Sequence, residues 1–221
     1  MDVCDKKRLV LGFDETNNGF SIHHAPFLIV TGALGYDGRW QGTPPYGSKC
    51  NRKFFSKNPP NKEEILHCAR EYLKRNKDFL YAVIPKNKKG LSKHERDAFR
   101  INYEKALAIS LISLEFFSRY SLHHSTPIYI HQIDGLKESL SIENCIRNML
   151  SYAGVSKPNV KVLKTGRKKD TKGVIKQADI TGYYIASIKL LLKSEKWPFR
   201  DRRVYPQSLD DLMIYRVLED K

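Results

Sequence analysis

The chain is 221 residues long and carries 39 Lys and Arg against 24 Asp and Glu, a formal net charge of +15. That length suits one α/β domain with a sizeable core, here residues 1–221 as a single unit. No apolar run is long enough to cross a bilayer or to form a secretory signal, which sets the expectation of a cytoplasmic protein with no membrane partner. An excess of cations concentrates polyanions at a surface, so nucleic acid is the first partner to consider, although lysines also simply confer solubility. Cys4, Cys50, Cys68 and Cys145 are scattered, with no Cys-x-x-Cys and no His at zinc-ligand spacing, and are expected to be free thiols.

In chain order, residues 8–13 read as a short strand rich in Val and Leu that ends at Asp14-Glu15, followed by Thr-Asn-Asn-Gly, which is turn chemistry. A second strand at 27–34 pairs with it as an antiparallel hairpin. Residues 35–60 are dense in Gly, Pro, Lys and Asn and read as a loop. Asn61 then caps a basic helix with Ile65, Leu66, Ala69 and Leu73 on one face, so the insertion spans about 35–77.

Residues 78–84 supply a third strand. After the basic link at 86–93, residues 94–120 keep helical periodicity through Phe99, Tyr103, Leu107, Leu111, Leu114 and Phe117, as expected for the central core helix. Pro127 opens a fourth strand at 128–133 that leads into Asp134-Gly135. A helix from Ser141 to Gly154, a fifth strand at 160–163, a basic loop at 164–176 and a helix at 178–193 follow. The tail, 195–221, is expected to be loop with a terminal helix at 209–218. This order predicts an α/β fold with a mixed five-stranded sheet flanked by helices and with a basic loop and helix inserted between strands 2 and 3.

Three acids share a position in that topology. Asp14 ends the first strand, Asp134 ends the fourth, and Asp179 opens the last helix. If the first and fourth strands are parallel neighbours, Asp14 and Asp134 come side by side and the helix carries Asp179 over them. Clustered carboxylates repel one another unless a cation compensates, and hard oxygen donors suit Mg²⁺ or Mn²⁺. Two such ions about 4 Å apart can activate water and stabilise the leaving oxygen of a phosphodiester. Each acid also has a structural alternative: a strand end at a turn for Asp14, a turn pair for Asp134-Gly135, a helix cap for Asp179.

The motifs carrying these acids resemble the ribonuclease H-like superfamily, both its type 2 ribonucleases H and the family that opens with Asp-Glu-Ser-Gly. Leu11-Gly-Phe-Asp-Glu is similar to the Gly-Ile-Asp-Glu of type 2 enzymes, and residues 128–135 to their central strand ending in Asp. Lys176-Gln-Ala-Asp-Ile-Thr-Gly-Tyr-Tyr-Ile-Ala-Ser-Ile resembles their Lys-Ala-Asp helix and the Gln-x-Ala-Asp helix of the other family. The resemblance implies a ribonuclease H-like fold and an endonuclease in which Asp14 and Asp134 share two metal ions while Glu15 and Asp179 each complete one shell. Type 2 enzymes continue with Ala-Gly-Arg-Gly, which reads the RNA-DNA junction, whereas this chain has Thr16-Asn17-Asn18-Gly19. Asn17 and Asn18 are either amide donors to a sugar or phosphate or turn formers.

Basic loops adjoin the candidate site: Lys86, Lys88 and Lys89 in one, Lys164, Arg167, Lys168, Lys169 and Lys172 in the other. Phosphate contacts from them would make binding fall steeply with salt; the alternative is a solvated loop. Tyr183, one turn beyond Asp179, either faces the substrate or packs in the core. His23, His24, His123 and His124 are expected at the surface, and His131 as a packing residue on its strand. The leading expectation is a metal-dependent hydrolase cutting RNA in a hybrid or structured nucleic acid. Its alternatives are a binding module that keeps the fold without turnover and a DNA-directed junction nuclease or strand transferase.

Overall fold

A computed structural model describes residues 8–16, 27–38, 62–75, 78–85, 94–131, 136–163, 172–191, 200–203 and 213–218. The strands are β1 (Leu9–Thr16), β2 (Phe27–Tyr36), β3 (Phe79–Pro85), β4 (Ile128–His131), β5 (Val160–Leu163), β6 (Arg200–Arg203) and β7 (Met213–Leu218). The helices are α1 (Lys62–Arg75), α2 (His94–Tyr120), α3 (Leu136–Tyr152) and α4 (Gly173–Leu191). The expected α/β architecture is present: a mixed sheet β3-β2-β1-β4-β5 flanked by four helices, with β1 parallel to β4 and antiparallel to β2.

The sheet is wider than the expected five strands. β7 adds to β3 and β6 to β7, both antiparallel, giving the order β5-β4-β1-β2-β3-β7-β6. The expected terminal helix is therefore overturned for residues 213–218. Met-Ile-Tyr-Arg-Val-Leu is rich in β-formers, and the open edge of β3 offers it a ladder of backbone partners.

Period-two alternation divides the core into two layers. Leu11, Phe13, Leu28, Val30, Leu80, Ala82, Ile128 and Ile130 face α2 and α3, where Ile112, Phe116 and Ile146 are fully buried. Each such side chain contributes ~1.5–3 kcal/mol by leaving water. On the opposite face, Ile29, Phe79 and Tyr81 pack with Tyr72 of α1 and with Tyr184, Ile185 and Ile188 of α4. Thr181 Oγ1 donates to Tyr72 Oη at 3.2 Å, tying α4 to α1.

Helix α4 lies unusually close to the sheet because glycines meet it. A Cβ on Gly12 would stand 2.6 Å from Val174 Cγ1 and 2.7 Å from the Val174 carbonyl carbon; one on Gly182 would stand 2.5 Å from Thr16 Oγ1. This contact fixes how Asp179 sits over β1.

Cys68 is disulfide-bonded, with its partner outside the described residues, while Cys145 is free. The expectation of four free thiols is corrected for Cys68. Disulfide pairing depends on tertiary proximity, which spacing along the chain does not reveal. Among the described residues no helix is long and apolar enough to cross a membrane.

Candidate active site

The site is built at the carboxyl-terminal end of β1, where β4 runs parallel beside it. β1 continues to Thr16, so Asp14 and Glu15 lie within the strand, opposite Thr31 and Val30 of β2. Adjacent residues of a strand point to opposite faces, so the two acids diverge. Asp14 shares the α4 face with Gly12, whereas Glu15 reaches Lys105 of α2. The two acids meet again only at the sheet's end, where Phe13, Asp14, Glu15, Val30, Lys105, Ile109, Ile130 and His131 line one small cleft.

Asp14 is buried, at 8% exposure. Its Oδ1 accepts from the Glu15 backbone N–H at 2.8 Å and pairs with His131 Nδ1 at 2.9 Å. When Asp14 is ionised its carboxylate can only accept, and His131 then donates from Nδ1. Burial pushes the Asp14 carboxyl above its ordinary range, His131 opposes that by hydrogen bond and charge, and nearby Asp179 adds to the upward push. The hydrogen bond to Asp14 conversely raises His131 against the effect of its own burial, with the charges of Asp14, Asp179 and Glu15 contributing. His131 is thus a member of the site rather than the expected packing residue. The readable signal was its place on the same strand face as its neighbour across β1, since β4 is in register with β1 through Phe13 and Ile130.

Asp179 lies in the second turn of α4, not at its start, because the helix begins at Gly173; the cap alternative is thereby removed. Lys176, one turn earlier, forms an ion pair with Asp179 Oδ2. Glu15 Oε2 is buried and ion-paired with Lys105 Nζ at 2.5 Å, outside the alignment of an ordinary hydrogen bond. Asp14, Glu15 and Asp179 therefore each commit one oxygen to a basic side chain. Among the described residues the other oxygen of each carries no hydrogen bond. Oxygen donors of this kind suit a hard divalent ion, but no group of three described His, Cys, Asp or Glu side chains is arranged to hold one. Asp134, three positions beyond His131 in sequence, lies outside the described residues.

No protein-family model matches the chain. No curated protein matches it either. The site is accordingly defined by its own geometry.

The remaining candidates divide sharply. Asn17, Asn18, Lys86, Lys88, Lys89, Lys164, Arg167, Lys168 and Lys169 lie outside the described residues, as do His23 and His24. Tyr183 is half-buried, packs against the apolar layer beneath α4 and meets the Tyr184 ring edge-on at 5.5 Å. His123 and His124 are exposed, as expected. Lys172, expected to contact phosphate, pairs with Asp37 Oδ1 at 2.6 Å and lies over the Tyr129 ring, while Tyr129 Oη donates to Asp37 Oδ2 at 3.1 Å. This pair ties the start of α4 to the end of β2.

Burial would raise the Asp37 carboxyl, but the hydrogen bond and charge of Lys172, with the Tyr129 hydrogen bond, bring it below its ordinary range. A carboxyl lowered in the folded state stabilises the protein above its unfolded pKa of about 3.9, and that stability is lost as pH falls through the folded value. Asp37→Asn should therefore flatten the acid limb of a stability-versus-pH curve below about pH 4. At this exposure the difference at neutral pH is at most ~1 kcal/mol. Urea unfolding of both proteins from pH 7 to acid checks it.

Proposed function

We propose that this chain is a metal-dependent nuclease of ribonuclease H-like fold, hydrolysing phosphodiester bonds of nucleic acid, with RNA in a hybrid or structured form as its substrate. The observation that carries the reading is Asp14. It is a buried carboxylate two residues before the end of the strand parallel to β4, within the electrostatic reach of Asp179, with one oxygen bonded and one uncommitted. Asp14, Glu15 and Asp179, with Asp134 from outside the described residues, would be the oxygen donors for two Mg²⁺ or Mn²⁺ ions. Bound there, the ions would supply water activation and stabilisation of the leaving oxygen.

The chain's own side chains prepare that site. His131 and the Glu15 N–H hold Asp14 by Oδ1, which directs Oδ2 as the free donor. Lys176 fixes Asp179 from the preceding turn. The close seat of α4 on Gly12 sets the distance from Asp179 to β1. The net charge of +15 favours capture of a polyanion, against which the acids alone would work.

One observation favours a second reading, a nucleic-acid-binding module without turnover. Lys105 and Lys176 already balance two of the three described carboxylates and a protonated His131 balances the third, so charge alone does not demand a metal. A cytoplasmic setting goes with a nucleic-acid substrate; the Cys68 disulfide opposes it, since reducing compartments disfavour such bonds.

A cleavage panel with Mg²⁺ or Mn²⁺ separates these readings: RNA-DNA hybrid, double-stranded RNA, single strands, duplex DNA and a branched junction. The nuclease reading expects metal-dependent cutting of hybrid or structured RNA that chelator stops. Cutting of the DNA junction alone would assign a DNA-directed enzyme. Salt-sensitive binding with no cutting of any substrate would assign the module.

A further inference from the structure

Lys105 sits in the middle of α2 with an exposure of only 7%, flanked on its helix by the buried Ala106, Ala108 and Ile109. An ammonium group has three protons to donate. Glu15 Oε2 stands beside it at 2.5 Å, and no other acceptor contacts it among the described residues. The group lines the same cleft as Asp14, Glu15 and His131, and the rest of that lining is Phe13, Val30, Ile109 and Ile130. Charge-assisted hydrogen bonds are stronger where apolar walls exclude water. The cleft has room for about one water-sized group, so it can admit a single non-bridging oxygen of a phosphodiester, whose repulsion by the two carboxylates a cation at this point offsets.

We propose that Lys105 is a phosphate-contacting residue of the cleft, donating to a non-bridging oxygen of the nucleic-acid backbone while it holds Glu15. The proposal rests on the nuclease reading for the location of the substrate, but not on turnover. It gives the site a cation from the core helix, in addition to any supplied by the basic loops. The competing role is that of a counter-ion to Glu15 that never meets the substrate.

The test is the salt dependence of binding to an RNA-DNA hybrid, by fluorescence anisotropy with Ca²⁺ in place of Mg²⁺. Lys105→Met should weaken binding by about tenfold, the scale of one hydrogen bond to a charged group. The slope of log affinity against log salt should fall by about one, as for the loss of one phosphate contact. Lys105→Arg should keep the wild-type slope.

Because Lys105→Met strands Glu15, the comparison is repeated between Glu15→Gln and Glu15→Gln/Lys105→Met, where no ion pair is broken, with circular dichroism to confirm folding. An unchanged slope in the folded double variant overturns the proposal. If the slope is unchanged while wild type cuts and Asp14→Asn does not, the phosphate contact fails and the nuclease reading stands. If the slope falls but wild type cuts nothing, the contact stands and the nuclease reading fails.

Discussion

Replacing Asp14 by Asn should lower the cleavage rate by at least ~100-fold, because loss of even an outer-shell partner of a metal site costs 10–100-fold. The substitution is close to isosteric. The Asn carbonyl oxygen can still accept from the Glu15 N–H and from His131 Nδ1, the two bonds that orient Asp14, so the fold should survive. What disappears is the negative charge and its uncommitted oxygen. Affinity for nucleic acid should stay at or above the wild-type value, since an anion beside the phosphate backbone has been removed. Single-turnover cleavage and anisotropy on the same hybrid check both parts. A variant that cuts as fast as wild type would remove Asp14 from the chemistry.

Gly12→Ala should destabilise the protein by ~1–3 kcal/mol or more, the range for forcing atoms into a packed core. The added methyl would lie 2.7 Å from the Val174 carbonyl carbon and 2.8 Å from the Ile175 nitrogen, so a rotamer change cannot relieve it. The first turn of α4 must lift from β1, and Asp179 rides on that helix. Thermal unfolding should show the midpoint falling by ~2–4 °C per kcal/mol, and residual cleavage should fall further than stability explains. Gly38→Ala is the control, because a Cβ there meets nothing within 4 Å. Equal stability of the two variants would show that the close seat of α4 is dispensable.

Much of this framework was legible in the sequence. Alternation of strand and helix after the hairpin forces a crossover, and the crossover places β4 parallel to β1 beside Asp14, as found. The apolar stripe of α1 likewise matched a real helix; α2 is helical as expected, but its buried face runs through Ala106, Ile109, Ile112 and Phe116, and Tyr103 of the expected stripe is exposed. Side-chain pairing was not legible in the same way. Lys105 carried no signal of its own, because nothing local marks a lysine that will meet Glu15 across the core. His131 read as packing, because its partner on β1 is defined only by sheet register. The terminal strand was misread because its ladder partner, β3, lies far away in sequence. Adjacent strand residues diverge, and that alternation sends the second acid of the Asp14-Glu15 pair to Lys105.

The central claim is that the carboxylates at the end of β1 hold divalent metal, and Mn²⁺ binding followed by electron paramagnetic resonance tests it most directly. Wild-type protein should take up Mn²⁺ from solution and Asp14→Asn should bind it at least ~10-fold more weakly, with nucleic acid absent from both. Equal Mn²⁺ binding by the two proteins, or none by either at millimolar metal, would contradict the account.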